Sequence, residues 1–415
     1  MKKLVRTAKK AENDNSIDIE KLSAGLTEND PYNSFYDTAA VIFRMISFAV
    51  FASLLVFIVS SAFISARSFS YDNLDYIMRN FALTLEENKD STRQPIRYSP
   101  DSLKGFAVYG NGLAVCRASG ISVFSGTGRQ TCSEYIDYSE PVISASEKYV
   151  VVYEQGSGRY SVYNAFSKVY SSECDKTIKA CAVADNGCYA FVTSSDEFAS
   201  VVEVYNDDFN LITRFNKNSH IVSVDLTNDT IMIVSVDADE SKTSFDTEIL
   251  IADPESGDVV SKSEQSSGFP LGCKITEYGY ALVCSNSVWF YDNNANEIGW
   301  YEYEGSSLND FRISKSHVLL LFKNKGFDIS YTAVSLDKRG NIVYKYDLAD
   351  TVFDIEAYDS SAYFLTSKYA ICFNGSLEER FEIDSAHYGC KLLALDSRSF
   401  YYCSDTAAEL IRCNW

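Results

Sequence analysis

The sequence predicts an all-β protein, an eight-bladed β-propeller, preceded by one transmembrane helix. Three observations support this prediction. They are a twenty-residue span without charge, a sequence motif that recurs about every forty residues on the C-terminal side of this span, and a composition with 29 Tyr and 26 Phe but only 4 Met. Aromatic residues are enriched in strands, so this composition favours sheets over helices. Seven blades with a terminal extension are the alternative.

The uncharged span, Met45 to Ile64, reads MISFAVFASLLVFIVSSAFI and lies between Arg44 and Arg67. As a helix it would cover about 30 Å, the thickness of the hydrocarbon core of a bilayer. A signal peptide has a shorter apolar core nearer the N-terminus, and a buried core helix would carry a polar stripe. We therefore predict a transmembrane helix over residues 38–66 that contacts the lipid bilayer through residues 45–64.

Polar segments flank this helix. Residues 1–37 mix charges with Gly, Asn and Ser and show no apolar periodicity, so we predict a disordered cytoplasmic tail. Residues 67–93 are predicted to form a helical stalk or linker, because apolar residues at i, i+3, i+4 and i+7 spacing indicate a short amphipathic helix over residues 71–87. Lys and Arg are nearly balanced beside the span, so the orientation depends on the short basic tail. We predict a single-pass protein of the cell membrane with a cytoplasmic N-terminus and an extracytoplasmic propeller.

The propeller is predicted over residues 94–415, as short alternating strands joined by polar turns. In each repeat, β-forming residues precede an Asn, Asp or Ser that opens a turn, and successive turn residues are 39, 42, 47, 39, 45, 37 and 40 positions apart. These residues are Ser125, Asn164, Asn206, Asp253, Asp292, Asp337, Asn374 and Asn414. A period near forty is typical of propeller blades, and these side chains can bond the backbone two residues on. Each motif is interpreted as the third strand of a blade.

The eighth repeat reaches only its third strand before Trp415. The segment 94–99 lies before the first blade and could supply the fourth strand. We predict that Ile96 and Tyr98 pair with the segment Glu409 to Cys413, because pairing removes an exposed sheet edge.

All eleven cysteines lie between Cys116 and Cys413, and no C-x2-C spacing typical of zinc sites occurs. Two similar hairpins, GCKITEYGYALVCS and GCKLLALDSRSFYYCS, contain four of them. Their turns would place Cys273 opposite Cys284 and Cys390 opposite Cys403. We interpret the cysteines as buried packing residues rather than redox groups, although an oxidising compartment would permit disulfides.

Composition and motifs exclude several functions. A net charge of -20 disfavours nucleic acid as a partner. The three histidines, His220, His317 and His387, are too dispersed to predict a metal site, and the acidic stretch 237–246 is interpreted as a solvated loop rather than a calcium site. No nucleophile elbow, H-E-x-x-H or Walker A sequence occurs. We therefore predict no catalytic residue, metal or cofactor.

Loop lengths indicate which face of the propeller binds. Connections from first to second strands are short, whereas connections from second to third strands vary. The variable connections are Ser194 to Ala199, Asp237 to Phe245 and Lys323 to Ser330. In a propeller these lie on one face with the fourth-to-first connections, and we call it the variable-loop face. Binding residues concentrate on loops carried by a rigid scaffold.

The repeat resembles the WD40, YVTN and quinoprotein-like propellers. Tyr-Asn and Tyr-Asp pairs occupy the place of the WD dipeptide at Asn164, Asn206 and Asp292. The stretch Asp253 to Gly257 is similar to the D-x-x-T-G turn of quinoprotein blades, but Ser261 stands where their docking tryptophan would be. No Gly-His pair opens a blade, so the hydrogen-bonded tetrad of WD40 repeats is not implied. The whole layout resembles an uncharacterised family of single-span, propeller-bearing proteins from clostridial Firmicutes, which implies architecture but no activity.

Two functions from different classes remain. The first is a non-catalytic binding or scaffold module that holds an envelope protein or another ligand on its variable-loop face. The alternative is a quinoprotein-like or lactonase-like enzyme or cofactor-binding protein. An enzyme would need His, Asp, Glu or Arg converging at the channel mouth, and the sequence offers few histidines and no docking motif. The binding module is therefore favoured.

Overall fold

The computed structural model describes residues 31–62, 95–100, 103–237, 245–325, 330–383, 386–387 and 389–415. The chain divides into two compact units, residues 1–77 and 78–415. The first contains one described helix and the second contains thirty-two described strands. The predicted amphipathic helix over residues 71–87 lies outside the described residues.

Helix α1 runs from Pro31–Ala62 and begins before the predicted start at residue 38. Proline suits the first helical position, where the missing N–H would have no helical partner. Residues 31–37, predicted to belong to a disordered tail, are thus helical, whereas residues 63–66 lie outside the described residues. Within α1, the window Tyr36–Leu55 has a mean hydropathy of 2.0 and none of it is buried, so this helix is long and apolar enough to cross a membrane.

Eight four-stranded antiparallel sheets form the blades of a propeller, as predicted. Strand β1 (Ile96–Arg97) precedes them. Blade 1 contains β2 (Leu103–Tyr109), β3 (Gly112–Arg117), β4 (Gly120–Phe124) and β5 (Gln130–Tyr135); blade 2 contains β6 (Pro141–Ala145), β7 (Val150–Glu154), β8 (Arg159–Tyr163) and β9 (Lys168–Glu173). Blade 3 contains β10 (Ile178–Val183), β11 (Tyr189–Thr193), β12 (Ser200–Tyr205) and β13 (Leu211–Lys217); blade 4 contains β14 (His220–Leu226), β15 (Ile231–Asp237), β16 (Phe245–Ala252) and β17 (Val259–Ser267).

The remaining blades repeat this order. Blade 5 contains β18 (Pro270–Thr276), β19 (Gly279–Cys284), β20 (Ser287–Tyr291) and β21 (Glu297–Glu302); blade 6 contains β22 (Ser307–Ile313), β23 (Val318–Lys323), β24 (Tyr331–Leu336) and β25 (Ile342–Leu348). Blade 7 contains β26 (Val352–Tyr358), β27 (Ser361–Thr366), β28 (Tyr369–Phe373) and β29 (Glu378–Glu382); blade 8 contains β30 (Lys391–Asp396), β31 (Ser399–Cys403), β32 (Ala407–Arg412) and, as its fourth strand, β1. First strands of neighbouring blades contact one another, and the contact between β2 and β30 closes the ring.

The predicted turn residues follow the third strands. The side-chain oxygen of Asn164 accepts the N–H of Phe166 at 2.8 Å, and that of Asp337 accepts the N–H of Arg339 at 2.8 Å. The same bond forms at Asn206, Asp253, Asp292 and Asn374. This local bond explains why the motif recurs in blades 1–7, each of which needs a turn between its third and fourth strands.

The second strands do not alternate as expected. Five of them, β7, β11, β19, β27 and β31, are buried along their whole lengths, and β3, β15 and β23 are buried except for their last residue. Each blade is covered on both faces by its neighbours, so both faces of a second strand need apolar residues. In several outer strands exposed and half-buried residues alternate, as along β29.

The N-terminal strand closes blade 8, as predicted, but with a different register. Ile96 pairs with Ala408 and Arg97 with Ala407, while the Tyr98 N–H donates to the carbonyl of Thr406 at 3.0 Å. The predicted partners, Glu409 to Cys413, lie further along, and the N–H of Cys413 instead donates to the Arg398 carbonyl at 2.7 Å. β1 therefore pairs with the beginning of β32.

Candidate functional site

Ionisable side chains recur at two positions on the first strands of blades 4–8. The upper position holds Asp310, Asp354 and Lys391, whose partners on the second strands are Leu321, Leu365 and Cys403. The lower position, two residues further along, holds Asp225, Lys274, Arg312 and Glu356. First strands surround the axis of a propeller, so these residues lie along the wall of its central channel. We call the seven residues the channel cluster.

Asp354 is the most buried member of the channel cluster, with 2% of its side chain exposed. Its Oδ1 accepts hydrogen bonds from Arg312 Nη2 at 3.0 Å and from Lys391 Nζ at 3.2 Å. Its Oδ2 accepts the backbone N–H of Leu392 at 2.8 Å. The donors come from blades 6 and 8, so this carboxylate of blade 7 connects three consecutive blades.

Arg312 connects the acidic members of the cluster. Its Nη1 donates to Asp310 Oδ1 at 2.8 Å, and its Nε lies 3.8 Å from Glu356 Oε2. Burial works against the charge of this guanidinium, yet the carboxylates of Asp310, Glu356 and Asp354 raise the pKa of Arg312 above its ordinary value. The cluster therefore contains a permanent cation surrounded by acids.

Glu356 and Asp225 are carboxyl groups with raised pKa. Burial raises the pKa of Glu356, and the charge of Arg312 opposes this effect. Burial likewise raises the pKa of Asp225, against the backbone N–H of Ile275, which donates to its Oδ2 at 2.7 Å. Carboxyl groups perturbed in this way concentrate at functional sites, although structural ion networks perturb them too.

Blades 1–3 carry no charge at the same two positions, which are all described. The residues there are Gly105 and Ala107 in β2, Val142 and Ser144 in β6, and Ala180 and Ala182 in β10. We call blades 1–3 the plain arc and blades 4–8 the charged arc. Sequence reasoning missed the channel cluster, because in so acidic a chain a single Asp or Glu carries little information. The signal would have been an alignment of the first strands by blade.

The variable-loop face lies at the end of the channel nearer the upper position. The second and third strands joined by residues 194–199, 238–244 and 324–330 end and begin on this face, whereas blades 5 and 7 use only residues 285–286 and 367–368 for the same connection. The first connection has its predicted bounds, but Asp237, Phe245 and Lys323, predicted to belong to the other two, lie in strands. Turns between first and second strands lie on the opposite face, because neighbouring strands are antiparallel. The predicted concentration of length variation on one face is therefore confirmed.

The three histidines lie in different blades. His220 begins β14, His317 lies in the turn before β23 with Nδ1 2.7 Å from Ser316 Oγ, and His387 Nε2 lies 2.9 Å from Asp405 Oδ2. Among the described residues, no group of three or more His, Cys, Asp or Glu side chains is arranged to hold a metal ion.

The predicted cysteine pairs are not cross-strand partners. Cys273 pairs with Leu282, and Cys403 pairs with Lys391 rather than Cys390. The hairpin β18–β19 turns at residues 277–278, one position before the predicted centre, and a bulge between Pro270 and Gly272 shifts the register again. Cys273 and Leu282 are symmetric about this turn, so the displaced turn alone explains their pairing. In β30–β31 a bulge between Ala394 and Asp396 shifts the register before it reaches Lys391 and Cys403.

One disulfide joins Cys372 in β28 to Cys413 after β32, and therefore links blade 7 to the segment that follows blade 8. Beside it, the N–H of Asn414 donates to Glu379 Oε2 at 2.8 Å, and Asn414 Nδ2 donates to Oε1 at 2.6 Å. The other nine cysteines are free thiols, six of them buried. Burial raises the pKa of Cys116 to about 12 and that of Cys132 to about 11, which suppresses the reactive thiolate.

Comparisons with known proteins identify the fold and a family. A family of unknown function, DUF5711, matches residues 87–412. No curated protein matches the chain.

Solved structures resemble the propeller at low identity. The computationally designed Ika8 protein is 11% identical with a TM-score of 0.58, over 77% of this chain and 98% of its own. BamB from Moraxella catarrhalis is 12% identical with a TM-score of 0.52, over 78% and 99%. Sqt1 from Saccharomyces cerevisiae is 9% identical with a TM-score of 0.54, over 77% and 98%. At such identities the likeness concerns the fold alone.

Proposed function

This chain belongs to DUF5711, a family of unknown function, and we propose that it is a membrane-anchored, extracytoplasmic binding or scaffold module without catalytic activity. The observation that carries this proposal is the contrast between the two faces of the propeller. One face has short first-to-second turns, and the other has second-to-third connections of very different lengths. A rigid ring with one variable face suits recognition of an envelope protein or another envelope component.

Helix α1 supports membrane anchoring. Between Tyr36 and Leu55 its large apolar side chains are exposed, with Phe43 at 71% and Phe48 at 73% exposure. A water-soluble helix of this length would pack such side chains against a core, whereas lipid would cover them.

The disulfide between Cys372 and Cys413 supports an extracytoplasmic propeller, because disulfides persist in oxidising compartments and are rare in the cytosol. Protease added to intact protoplasts should then digest the propeller and leave the N-terminal tail protected. Protection of the propeller instead would reverse this orientation.

An enzyme or cofactor-binding protein is the second candidate, and the channel cluster is the observation that favours it. Arg, Lys, Asp and Glu converge along the charged arc, as an active site would require. However, Asp354 and Arg312 are bonded to one another and to further members of the cluster. Such saturation leaves little donor or acceptor capacity for a substrate, so we favour a structural role for the cluster.

The binding function can be tested on the intact protein in its own membrane by chemical crosslinking. In the test variant, the connection 194–199 is replaced by the two residues Ser285-Asn286, which make the same connection in blade 5. In the matched control, the turn 206–210 on the opposite face is replaced by the turn 292–296. We expect the crosslinked partner to be lost from the test variant and kept in the control. Equal capture by both would contradict a role for the variable-loop face.

A further inference from the structure

Lys274 is the member of the channel cluster that the polar network leaves unbonded. Within the described residues its side chain makes no hydrogen bond or ion pair, whereas the other six members each have a bonded partner. Burial raises the pKa of Asp225 in blade 4 and of Glu356 in blade 7, and the charge of Lys274 opposes both shifts. An ammonium group with three unused donors therefore lies near both acids, at the lower position of the channel wall.

The two lysines are the most exposed members of the cluster. Lys274 is exposed and the side chain of Lys391 is 47% exposed, whereas the side chains of Asp310, Glu356 and Asp354 are 33%, 22% and 2% exposed. First strands are the innermost strands of a propeller, so their exposed side chains face the channel. A ligand in the channel therefore meets ammonium groups before carboxylates, although the chain carries a net charge of -20.

The opposite side of the channel leaves room for a ligand. Blade 5 lies across the ring of eight from blade 1, whose two channel positions hold Gly105 and Ala107. Both residues are partly exposed. The channel positions of the plain arc, which are all described, carry no charged side chain. Small uncharged residues neither fill the channel in front of Lys274 nor neutralise its charge.

We propose that the central channel binds a small oxyanion at Lys274. The ammonium group donates hydrogen bonds to oxygen atoms of the anion, while Arg312 and Lys391 add positive charge along the same wall. Hydrogen bonds between charged groups are stronger than neutral ones, and a protein wall of low dielectric strengthens them further. Phosphate and carboxylate groups share this chemistry. The site lies in the channel rather than on the variable-loop face, so the proposal does not depend on the binding function proposed above.

Other ligands fit the site less well. A metal ion or a basic peptide would meet the exposed lysines, and the carboxylates behind them are already bonded to Arg312, Lys391 or backbone N–H groups. A neutral sugar would leave the charge of Lys274 uncompensated. A large polyanion would be repelled by the acidic chain, whereas a small oxyanion carries too few charges to be excluded by it.

Isothermal titration calorimetry with the full-length chain in lipid nanodiscs tests the proposal. Sulfate is the probe, because it keeps the same charge over the pH range in which carboxyl groups titrate. Phosphate and citrate are compared with it to distinguish phosphate from carboxylate ligands. We expect saturable binding of sulfate by the wild type, about tenfold weaker binding by Lys274→Gln, and retained binding by Lys274→Arg. Lys345→Gln, which removes an exposed lysine from the outer strand β25, is the matched control and should bind like the wild type.

The pH dependence of sulfate binding tests the two neighbouring acids. The cluster contains three cations and four acids, so protonation of Asp225 and Glu356 leaves three cations against two carboxylates. Sulfate should therefore bind more tightly as the pH falls through the pKa values of these two groups, which burial raises. Asp225→Asn should bind sulfate more tightly than the wild type at neutral pH and lose part of this dependence. Its amide oxygen can still accept the Ile275 N–H.

The other ionisable groups around these two acids do not reverse this sign. They are Lys274 and Cys273 in β18, Asp310 and Arg312 in β22, Asp354 in β26, Tyr363 in β27 and Lys391 in β30. Burial raises the pKa of Cys273 and of Tyr363, so both stay neutral as the pH falls. The lysines and the arginine stay charged over the same range.

Three results would overturn the proposal: equal affinity of Lys274→Gln and the wild type, equal loss in Lys345→Gln, or affinity for sulfate that weakens as the pH falls. Sulfate also stabilises proteins by being excluded from their surfaces. A rise in melting temperature that is the same in the wild type and in Lys274→Gln would therefore count against the site. Without sulfate the two proteins should melt alike, because Lys274 makes no hydrogen bond that the substitution could remove.

Discussion

The plain arc and the charged arc share one scaffold but differ along the channel. Second strands are buried in both, and the turn after the third strand recurs in both. Small or apolar residues occupy the two channel positions in blades 1–3, whereas blades 4–8 carry the seven ionisable residues of the channel cluster. Blades therefore pack around the axis without charges, and the charges of the second arc need their own explanation.

The position at which the ring closes explains part of the charge in blades 4–8. Blade 8 takes its fourth strand from the N-terminal end of the propeller and its covalent link to blade 7 from Cys413. Asp354 adds polar bonds across blades 6, 7 and 8. Blades 1–3 are continuous in sequence and contain no such joint. The charged arc thus contains the seam of the ring, and we infer that part of its polar network specifies how the seam closes.

The largest effect is expected for Asp354→Ala. This change leaves Arg312, Lys391 and the Leu392 N–H without their shared acceptor, and breaking a buried ion pair typically costs about 3–5 kcal/mol. The free energy of unfolding should fall by that amount in urea denaturation of the full chain. Ala180→Ser, at the equivalent position of the plain arc, serves as the control and should cost far less.

A compensating variant sharpens the comparison. Replacing all five members that are bonded to one another, Asp310, Arg312, Asp354, Glu356 and Lys391, together by Leu converts this part of the wall to the apolar character of the plain arc. Apolar replacements of whole buried networks are often neutral or stabilising. A fivefold variant as unstable as Asp354→Ala would show that the arcs differ in more than charge.

The next effect concerns the disulfide. Reduction of the wild-type protein should lower the free energy of unfolding by about 2–4 kcal/mol, because the disulfide between Cys372 and Cys413 constrains the unfolded chain. The double variant Cys372→Ala, Cys413→Ala should melt at the same temperature with and without reductant. If reductant does not change the stability of the wild-type protein, the disulfide does not contribute to closing the ring.

The blade count and the turns could be predicted from sequence because each depends on local chemistry. Asn164 and Asp337 bond the backbone two residues on, so the residue type that a blade requires recurs at a fixed place. The closing strand could be predicted because an open edge needs a partner. Its register could not be predicted, because the Cys413 N–H donates to the Arg398 carbonyl and the Cys413 sulfur is bonded to Cys372. The sequence pattern does not show either contact.

The channel cluster and the cysteine positions depend on geometry that the repeat does not encode. Bulges shift the register within first strands, as between Ile221 and Ser223 or between Pro270 and Gly272. A shift of one residue turns each side chain to the other face of the sheet. The sequence therefore shows that Arg312 and Asp354 are neighbours only when the first strands are aligned blade by blade, with these bulges included.

The smallest expected effect is a dependence of stability on pH, which should have opposite signs for a carboxyl group of each arc. In the charged arc, burial raises the pKa of Glu356 and of Asp225, so the folded state binds their protons more tightly than the unfolded state. Stability then falls as the pH rises from the ordinary carboxyl pKa towards the raised one. In the plain arc, burial opposes ionisation of Glu154, but the Ser139 N–H and Arg159 prevail and lower its pKa. That contribution is present above the ordinary pKa and is lost as the pH falls through the lowered one.

Melting temperatures measured against pH therefore separate the arcs. Glu356→Gln should stabilise the protein at neutral pH and converge with the wild type in acid, where the wild-type carboxyl is protonated. Glu154→Gln should destabilise it at neutral pH, because Arg159 and the Ser139 N–H lose a charged acceptor, and should also converge in acid. The two difference curves then have opposite signs. Curves of the same sign would mean that folding shifts the pKa of Glu356 and of Glu154 in the same direction. The difference between the arcs would then not extend to the protonation of their carboxyl groups.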